Sequence, residues 1–98
     1  MSRFYLITLN TCYHCHTFLD NIWPELYSII HDLGYRIQHH DVKQSQQRQW
    51  FANNPLISQY VHYYPTLVII DDENNGFQYE GDLEDIASII NWIYNTTI

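Results

Sequence analysis

The chain of 98 residues carries a formal net charge of -7, from four Lys and Arg against eleven Asp and Glu. This acidic balance argues against nucleic acid or an anionic membrane as partner, because both require a basic surface. The length fits one domain over residues 1–98, and the apolar content of 46% is enough for one modest hydrophobic core. The first ten residues predict neither a signal peptide nor a membrane span.

We therefore expect a soluble, cytoplasmic monomer. Asn, Ile and Tyr are abundant and Ala and Gly are scarce, a composition typical of AT-rich viral or parasitic genomes. For a viral protein, the expected location is the host cytoplasm or the virion.

The first predicted elements are a buried strand and a helix. Residues 4–9 are almost continuously apolar, as in a strand buried on both faces. Beyond them, apolar residues recur at steps of three and four, which places them on one helical face: Phe18, Ile22, Leu26, Ile29 and Leu33. We expect a kink at Pro24, which lacks the N–H that would bond back one turn, and a helix end at Gly34.

The second half of the chain predicts three strands and two helices. Residues 35–42 form a strand, and the polar segment after it contains a helix over 45–52. Residues 66–70 form the clearest strand, and the Asn-Gly pair after it can supply positive φ angles to a turn. Residues 77–80 alternate as a half-exposed strand does, and Asp82 can cap a final helix with an acidic first turn.

The resulting order, β-α-β-α-β-β-α, predicts an α/β fold. The first β-α-β unit is a parallel crossover, and the last two strands form a hairpin. We expect a four-stranded mixed sheet flanked by three helices.

Both cysteines of the chain, Cys12 and Cys15, lie where the first helix is predicted to begin. In a reducing compartment, such a close pair is more often catalytic or metal-binding than structural. The N-terminus of a helix favours an anion, because its N–H groups are unpaired and the helix dipole is positive there. We expect Cys12 to be the exposed thiolate nucleophile and Cys15 to be the buried resolving thiol.

This element order, with C-x-x-C at the start of the first helix, resembles the thioredoxin/glutaredoxin superfamily. The matching features are the motif of residues 12–15, Pro65-Thr66-Leu67 at the start of the third strand, and Gly81 after the fourth. The resemblance implies a thioredoxin-like fold, thiol–disulfide oxidoreductase activity, and a cis peptide bond before Pro65 that faces the dithiol. The short N-terminus is similar to glutaredoxins, whereas the Pro-Thr-Leu segment is similar to thioredoxins.

Two positions of this chain bear on its redox chemistry. Protonated His14 would stabilise the Cys12 thiolate and hence the reduced form, which predicts a potential more oxidising than that of thioredoxin. The alternative is that His14 is an exposed turn residue without effect on the sulfur. Leu6 stands where thioredoxins bury an Asp, so Cys15 must lose its proton by another route, through His16 or water.

In the family, the backbone before the cis-proline pairs with an extended substrate chain like an added strand. Carried over to this sequence, the resemblance implies a set of substrate-binding residues: Tyr13, Tyr64, Pro65, Thr66, Gly81 and Asp82. Capping of the last helix explains Asp82 equally well.

The expected partners are protein disulfides or dithiols, with an upstream reductase or glutathione as electron donor. We expect no cofactor other than a redox-active disulfide between Cys12 and Cys15. A glutathione-dependent glutaredoxin is the alternative, but glutathione is anionic, and the candidate cations for binding it are Lys43, Arg48 and Arg36.

Two other classes of protein remain as alternatives. A zinc module could use the cysteines with nearby histidines, namely His14, His16, His39 and His40. A structural zinc site needs four converging ligands, and adjacent residues of a strand such as His39 and His40 point to opposite faces. We therefore expect no metal. A non-catalytic interaction module is the third class, although it would have no need of both cysteines.

Overall fold

The apolar run near the N-terminus forms an inner strand, β1 (Arg3–Leu9), in the computed structural model, which describes residues 2–96. It pairs in parallel with β2 (Arg36–Val42) and antiparallel with β3 (Thr66–Ile70). The third strand pairs antiparallel with β4 (Gly76–Gln78), which gives the order β2-β1-β3-β4. The predicted four-stranded mixed sheet is therefore confirmed, with its continuously apolar strands at the two inner positions.

Helices cover both faces of this sheet. The first face is covered by α1 (Tyr13–Asn21), α2 (Trp23–Asp32) and α5 (Ile86–Thr96). The second face is covered by α3 (Gln47–Asn53) and α4 (Pro55–Ser58). The fold class is α/β as predicted, but five helices flank the sheet where the sequence predicted three.

Alternation along β1 divides its side chains between two hydrophobic clusters. On the first face, β1 contributes Phe4 and Leu6, which pack with residues of three helices: Phe18, Leu26, Ile30, Ile89 and Ile93. On the second face, it contributes Tyr5 and Ile7, which pack beneath the two shorter helices with Val42, Ile57, Val61, Val68 and Ile70. The sheet thus forms a layer between two cores. The loops that carry the candidate site lie at one end of its two inner strands.

The first predicted helix is two helices in the structure. The break falls at Ile22, whose N–H donates to Phe18 O at 2.9 Å and whose carbonyl accepts from Leu26 N. Pro24 lies in the first turn of α2, where its missing N–H costs little, whereas a continuous helix would have left the carbonyl of Asp20 without a donor. The second helix ends before Gly34, which adopts a positive φ of 88° as expected.

The second predicted helix, over residues 45–52, also differs. A 3₁₀ turn (Gln44–Gln46) precedes α3, and the short α4 begins at Pro55 directly after Asn54. Asn54 holds this corner, because its side chain donates to Trp50 O at 2.8 Å while its carbonyl accepts from Ser58 N. Pro55 cannot continue the ladder of α3 and starts a new helix instead.

The prediction that Asp82 caps the last helix is wrong. The last helix begins at Ile86, and the side chain of Asp85 accepts from Ser88 N at 3.2 Å. Asp82 lies in the preceding turn, where its carboxylate accepts from Glu84 N at 2.8 Å. The expected acidic first turn is also absent from this helix.

The hairpin turn between β3 and β4 differs in detail as well. Positive φ falls on Asn74 (65°), not on the Asn-Gly pair that follows. The carboxylate of Asp71 accepts from the backbone N–H groups of Glu73 and Asn75 and so closes the turn. In the part of the chain that the structure describes, no helix has the length and apolar content needed to cross a membrane.

Candidate functional site

Cys12 is held at the N-terminus of α1 by its position directly after β1. Its backbone is extended (φ -88°, ψ 114°), and its N–H donates to Leu9 O at 3.0 Å. The Cys12 sulfur accepts a hydrogen bond from Cys15 N at 3.1 Å, so the thiol itself caps the helix. A sulfur at this position receives the N–H groups that a helix leaves unpaired, and a negative charge on it is stabilised.

Cys15 lies one turn along α1 and is completely buried, whereas Cys12 is half-buried. Both are free thiols in this structure. Burial is the main cause that raises the pKa of the Cys15 thiol to about 12, and its contact with Cys12 and the charge of Asp41 act in the same direction. Cys15 therefore needs a proton acceptor before it can act as a nucleophile.

The segment just before β3 lies next to Cys12, at the same end of the sheet. The peptide bond between Tyr64 and Pro65 is cis, and the Cys12 thiol donates to Tyr64 O at 3.8 Å. Pro65 is buried, while Tyr64 is half-buried and packs against the second cluster. The carbonyl of Tyr64 therefore points at the Cys12 sulfur. The fold thus brings together two residues that are 52 positions apart in the sequence.

A chain of polar side chains lies on the first face of the sheet, on the side where α1 packs. The hydroxyl of the completely buried Thr8 donates to Asp41 Oδ1 at 2.8 Å, and His39 Nε2 lies 2.8 Å from Thr8 Oγ1. Since the single hydroxyl proton goes to Asp41, the Nε2–H of His39 donates to Thr8. Partial burial lowers the pKa of His39, and the Asp41 carboxylate opposes this shift.

The sequence does not predict these polar contacts of Thr8. It indicates His39 only as a metal ligand and His16 or water as the route for the Cys15 proton, and it gives no role to Asp41. In the structure, His16 is exposed and its Nε2 lies 3.2 Å from Asn10 O. The available signal was the single polar residue, Thr8, within an otherwise apolar strand.

A groove of about 620 Å³ opens between α1 and the turn before α5. Its apolar surface comes from four side chains: Phe18, Ile22, Pro65 and Leu83. Its polar surface includes Asp82, Glu84 and Asn21, together with His14 next to the nucleophile. The wall also includes Tyr64, whose carbonyl accepts from the Cys12 thiol, so the groove lies next to Cys12 although Cys12 itself does not line it.

The structure brings some of the predicted substrate-binding residues to this groove and leaves others out. Tyr64, Pro65 and Asp82 line it, whereas Tyr13 lies beside it with 78% of its surface exposed and its ring against that of His14. Thr66 is completely buried, and its hydroxyl donates to Tyr63 O, so its side chain does not reach the groove.

Gly81 is also outside the groove. A Cβ atom there would lie 2.5 Å from the hydroxyl oxygen of Tyr79, which in turn donates to Asp82 O at 2.7 Å. The glycine therefore allows the Tyr79 ring to support the turn that carries Asp82. Glu84 was not predicted, since nothing in the sequence marks an exposed loop carboxylate as part of a site.

Within residues 2–96, no three His, Cys, Asp or Glu side chains converge as a metal site would require. His39 and His40 do point to opposite faces, because His39 contacts Thr8 whereas His40 accepts from Trp50 Nε1 on the other side. Arg36, one of the candidate glutathione ligands, lies opposite Arg3 in the register of β1 and β2, at the end of the sheet away from Cys12.

Lys43 precedes a residue that contacts the segment leading into Cys12. Gln44, the residue after it, accepts from the Thr11 hydroxyl at 2.9 Å, and its N–H donates to Asn10 Oδ1 at 3.0 Å. The chain after β2 is thereby attached to the segment that leads into Cys12. Lys43 is not among the residues that line the groove.

No family model matches this chain. No curated protein matches it either. Solved structures do match. The J-Trx1 fragment of ERdj5 matches with a TM-score of 0.71 at 22% identity, over 97% of this chain and 42% of that one. The first thioredoxin domain of mouse protein disulfide-isomerase A4 has a TM-score of 0.66 at 14% identity, over 99% and 64%.

A third match is the exposed lipoprotein thioredoxin Etrx1 of Streptococcus pneumoniae, with a TM-score of 0.60 at 16% identity, over 96% of this chain and 84% of that one. The chain spans less than two thirds of the first two matching structures. At these identities the similarity shows the fold alone. The chain has the thioredoxin fold, with Cys12 and Cys15 close together as in a C-x-x-C motif, and the predicted resemblance is confirmed at that level.

Proposed function

We propose that this protein is a thiol–disulfide oxidoreductase that acts on protein disulfides. The observation that carries the proposal is the position of the Cys12 sulfur, between the N-terminus of α1 and the carbonyl of Tyr64. The hydrogen bond from Cys15 N favours the thiolate, and the adjacent groove leaves room for a substrate chain. The thioredoxin domains with which the chain shares its fold support this class of reaction.

The first step is attack of the Cys12 thiolate on one sulfur of a substrate disulfide. The substrate S–S bond breaks, a mixed disulfide forms, and the departing substrate thiolate takes a proton from solvent. In the second step, the Cys15 thiolate attacks the Cys12 sulfur and releases the other substrate thiolate, which is protonated in turn. The substrate gains two electrons, and the protein is left with a Cys12–Cys15 disulfide.

The second step requires removal of the Cys15 proton. Burial, the largest cause of the raised pKa of Cys15, persists in the mixed disulfide, where Cys12 no longer carries a charge. We assign Asp41 as the acceptor of this proton, because it is the register partner of Thr8 on the face where α1 packs and its carboxylate is held by the Thr8 hydroxyl. Its negative charge also contributes to the raised pKa of Cys15. Asp41 would then replace the buried Asp of thioredoxins, at whose position this sequence has Leu6.

The proposal includes no cofactor beyond the redox-active cysteine pair, and it places the protein in a reducing compartment such as the cytoplasm. An external dithiol or an upstream reductase resets the pair by the reverse exchange. Glutathione is the less favoured donor, because no Lys or Arg lines the groove within the described residues. The tuning of the potential by His14 stays a prediction.

We expect the protein to accelerate the reduction of insulin by dithiothreitol, measured as precipitation of the free insulin B chain. The Cys12→Ser variant should show only the rate of dithiothreitol alone, because serine cannot form the mixed disulfide. The Ser28→Ala variant, changed at an exposed position of α2 that does not line the groove, serves as control. A wild-type rate that does not exceed the uncatalysed one would exclude this activity.

The Asp41→Asn variant tests the proton acceptor. We expect release of substrate from the mixed disulfide to slow by about tenfold or more. Its rate should rise nearly tenfold per pH unit across neutral pH, because hydroxide must then remove the Cys15 proton, whose pKa is still raised by burial. The measurement is stopped-flow release of a fluorescent peptide thiol between pH 6 and 9, with Asp32→Asn as the control.

The two effects of Asp41 on Cys15 have opposite signs, which makes the test decisive. If Asp41 acted only through its negative charge, its removal would lower the pKa of Cys15 and speed up release. An unchanged or faster release in Asp41→Asn would therefore contradict its assignment as the proton acceptor.

A further inference from the structure

The groove beside Cys12 has a negatively charged rim. Asp82 and Glu84 line it, both exposed, and the turn that carries them is braced by the hydrogen bond from Glu84 N to Asp82 Oδ1. Neither carboxylate has an ion-pair partner among residues 2–96. Their negative charges are therefore not neutralised by an ion pair within the described residues and can act on a ligand in the groove.

The cationic residues of the chain lie elsewhere. Arg3 donates to Asn74 Oδ1 at 2.8 Å at the opposite end of the sheet, where Arg36 is its partner in the β1–β2 pairing. Arg48 is on α3, which covers the other face. Lys43 follows β2 and does not line the groove. No Lys or Arg within the described residues compensates the two carboxylates locally, and the net charge of -7 adds to the same field.

The floor of the groove has a different chemistry. Phe18, Ile22 and Leu83 present apolar surface, and Asn21 and Thr17 supply neutral polar groups along α1. An apolar floor beneath an acidic rim is complementary to a substrate with one apolar and one cationic side chain next to each other. A peptide rich in Asp or Glu would bring like charges together and lose affinity.

We propose that this groove makes the protein selective for disulfides whose reacting cysteine lies in an extended segment with Lys or Arg beside an apolar residue. The inference deepens the proposed function and rests on it, since it concerns the substrate of the same nucleophile. The cation approaches Asp82 and Glu84 while the apolar side chain covers the floor. The disulfide of such a substrate would then lie next to Cys12, close to the part of the groove formed by His14 and Tyr64.

Three synthetic peptide disulfides test this inference. They share one sequence with a leucine next to the cysteine, and they carry two Lys, two Gln or two Glu at the neighbouring positions. We expect kcat/KM to fall in the order Lys, Gln, Glu, with about a tenfold difference between the first and the last at low ionic strength. At about 0.5 M salt the difference should shrink to about twofold, because exposed charges are then screened.

Variants locate the effect in the groove. Asp82→Asn keeps an oxygen that can accept from Glu84 N, so the turn is expected to persist. Each of Asp82→Asn and Glu84→Gln should reduce the ratio of kcat/KM for the Lys and Glu peptides by about threefold, and the double variant should bring it close to one. Glu73→Gln removes the same charge from the hairpin turn after β3 and should keep the wild-type ratio.

Equal kcat/KM for the three peptides would overturn the inference while leaving the proposed function intact. A ratio that falls as much in Glu73→Gln as in Glu84→Gln would also overturn it, because net charge and not the groove would then cause the preference. If none of the three peptides is reduced faster than by dithiothreitol alone, both the inference and the proposed function are wrong.

Discussion

Replacement of Cys15 by serine is expected to stop the reaction after its first step and to leave Cys12 in a mixed disulfide with the substrate. The second thiol lies one helical turn from the first, and an intramolecular attack has an effective concentration far above that of any added thiol. Without it, turnover should fall by about 100-fold or more with a protein disulfide as substrate. Non-reducing electrophoresis followed by mass spectrometry would show the trapped adduct at Cys12.

The structure explains why the trapped adduct should persist. Cys15 is the only other thiol of the chain and lies one helical turn from Cys12, so in its absence release of the substrate depends on encounter with an external thiol. Cys12→Ser is the matched control and should trap nothing. If Cys15→Ser turned over at the wild-type rate with glutathione as donor, a monothiol glutaredoxin pathway would replace the dithiol mechanism.

The second large effect concerns stability. Phe4→Ala should lower the free energy of unfolding by about 3–5 kcal/mol, because it removes a fully buried ring and leaves a cavity. The ring lies at the centre of an aromatic cluster, with centroids of Trp23, Tyr35 and Trp92 at 6.2, 6.3 and 6.0 Å. A loss of this size is a large part of the roughly 5–15 kcal/mol that stabilises a domain.

Phe77→Ala is the matched control, since the same side chain on β4 is 41% exposed. We expect it to cost less than about 1 kcal/mol. Urea denaturation followed by tryptophan fluorescence would compare the two midpoints at constant slope. A loss below about 1 kcal/mol in Phe4→Ala would show that the core repacks and that the aromatic cluster is not a stabilising centre.

Errors in the predicted helices have local and distant causes. The break at Ile22 is a stronger form of the kink expected at Pro24, and only its extent was underestimated. The misplaced cap of α5 has a distant cause. Three acidic residues precede this helix, and the hydroxyl of Tyr79 holds Asp82 O in a turn, which leaves Asp85 to receive Ser88 N. Local sequence does not distinguish between such equivalent carboxylates.

Thr66 and Gly81 show the same limit within the candidate site. Their place in the chain matches the family pattern, but the Thr66 side chain turns inward to Tyr63 O, and Gly81 makes room for Tyr79. The motif therefore indicates where the backbone passes the nucleophile. It does not indicate which neighbouring side chains face the substrate.

The sequence by itself determined the α/β class, the strands of the mixed sheet, and a cysteine pair at the start of a helix. These features depend on the period of apolar residues and on helix-end chemistry, both of which are local. Only the tertiary structure decided that Asp41 accepts a hydrogen bond from the buried hydroxyl of Thr8, and that Asp82 and Glu84 border the groove. Such contacts depend on strand register and on how distant loops meet, and neither is encoded in the neighbouring residues.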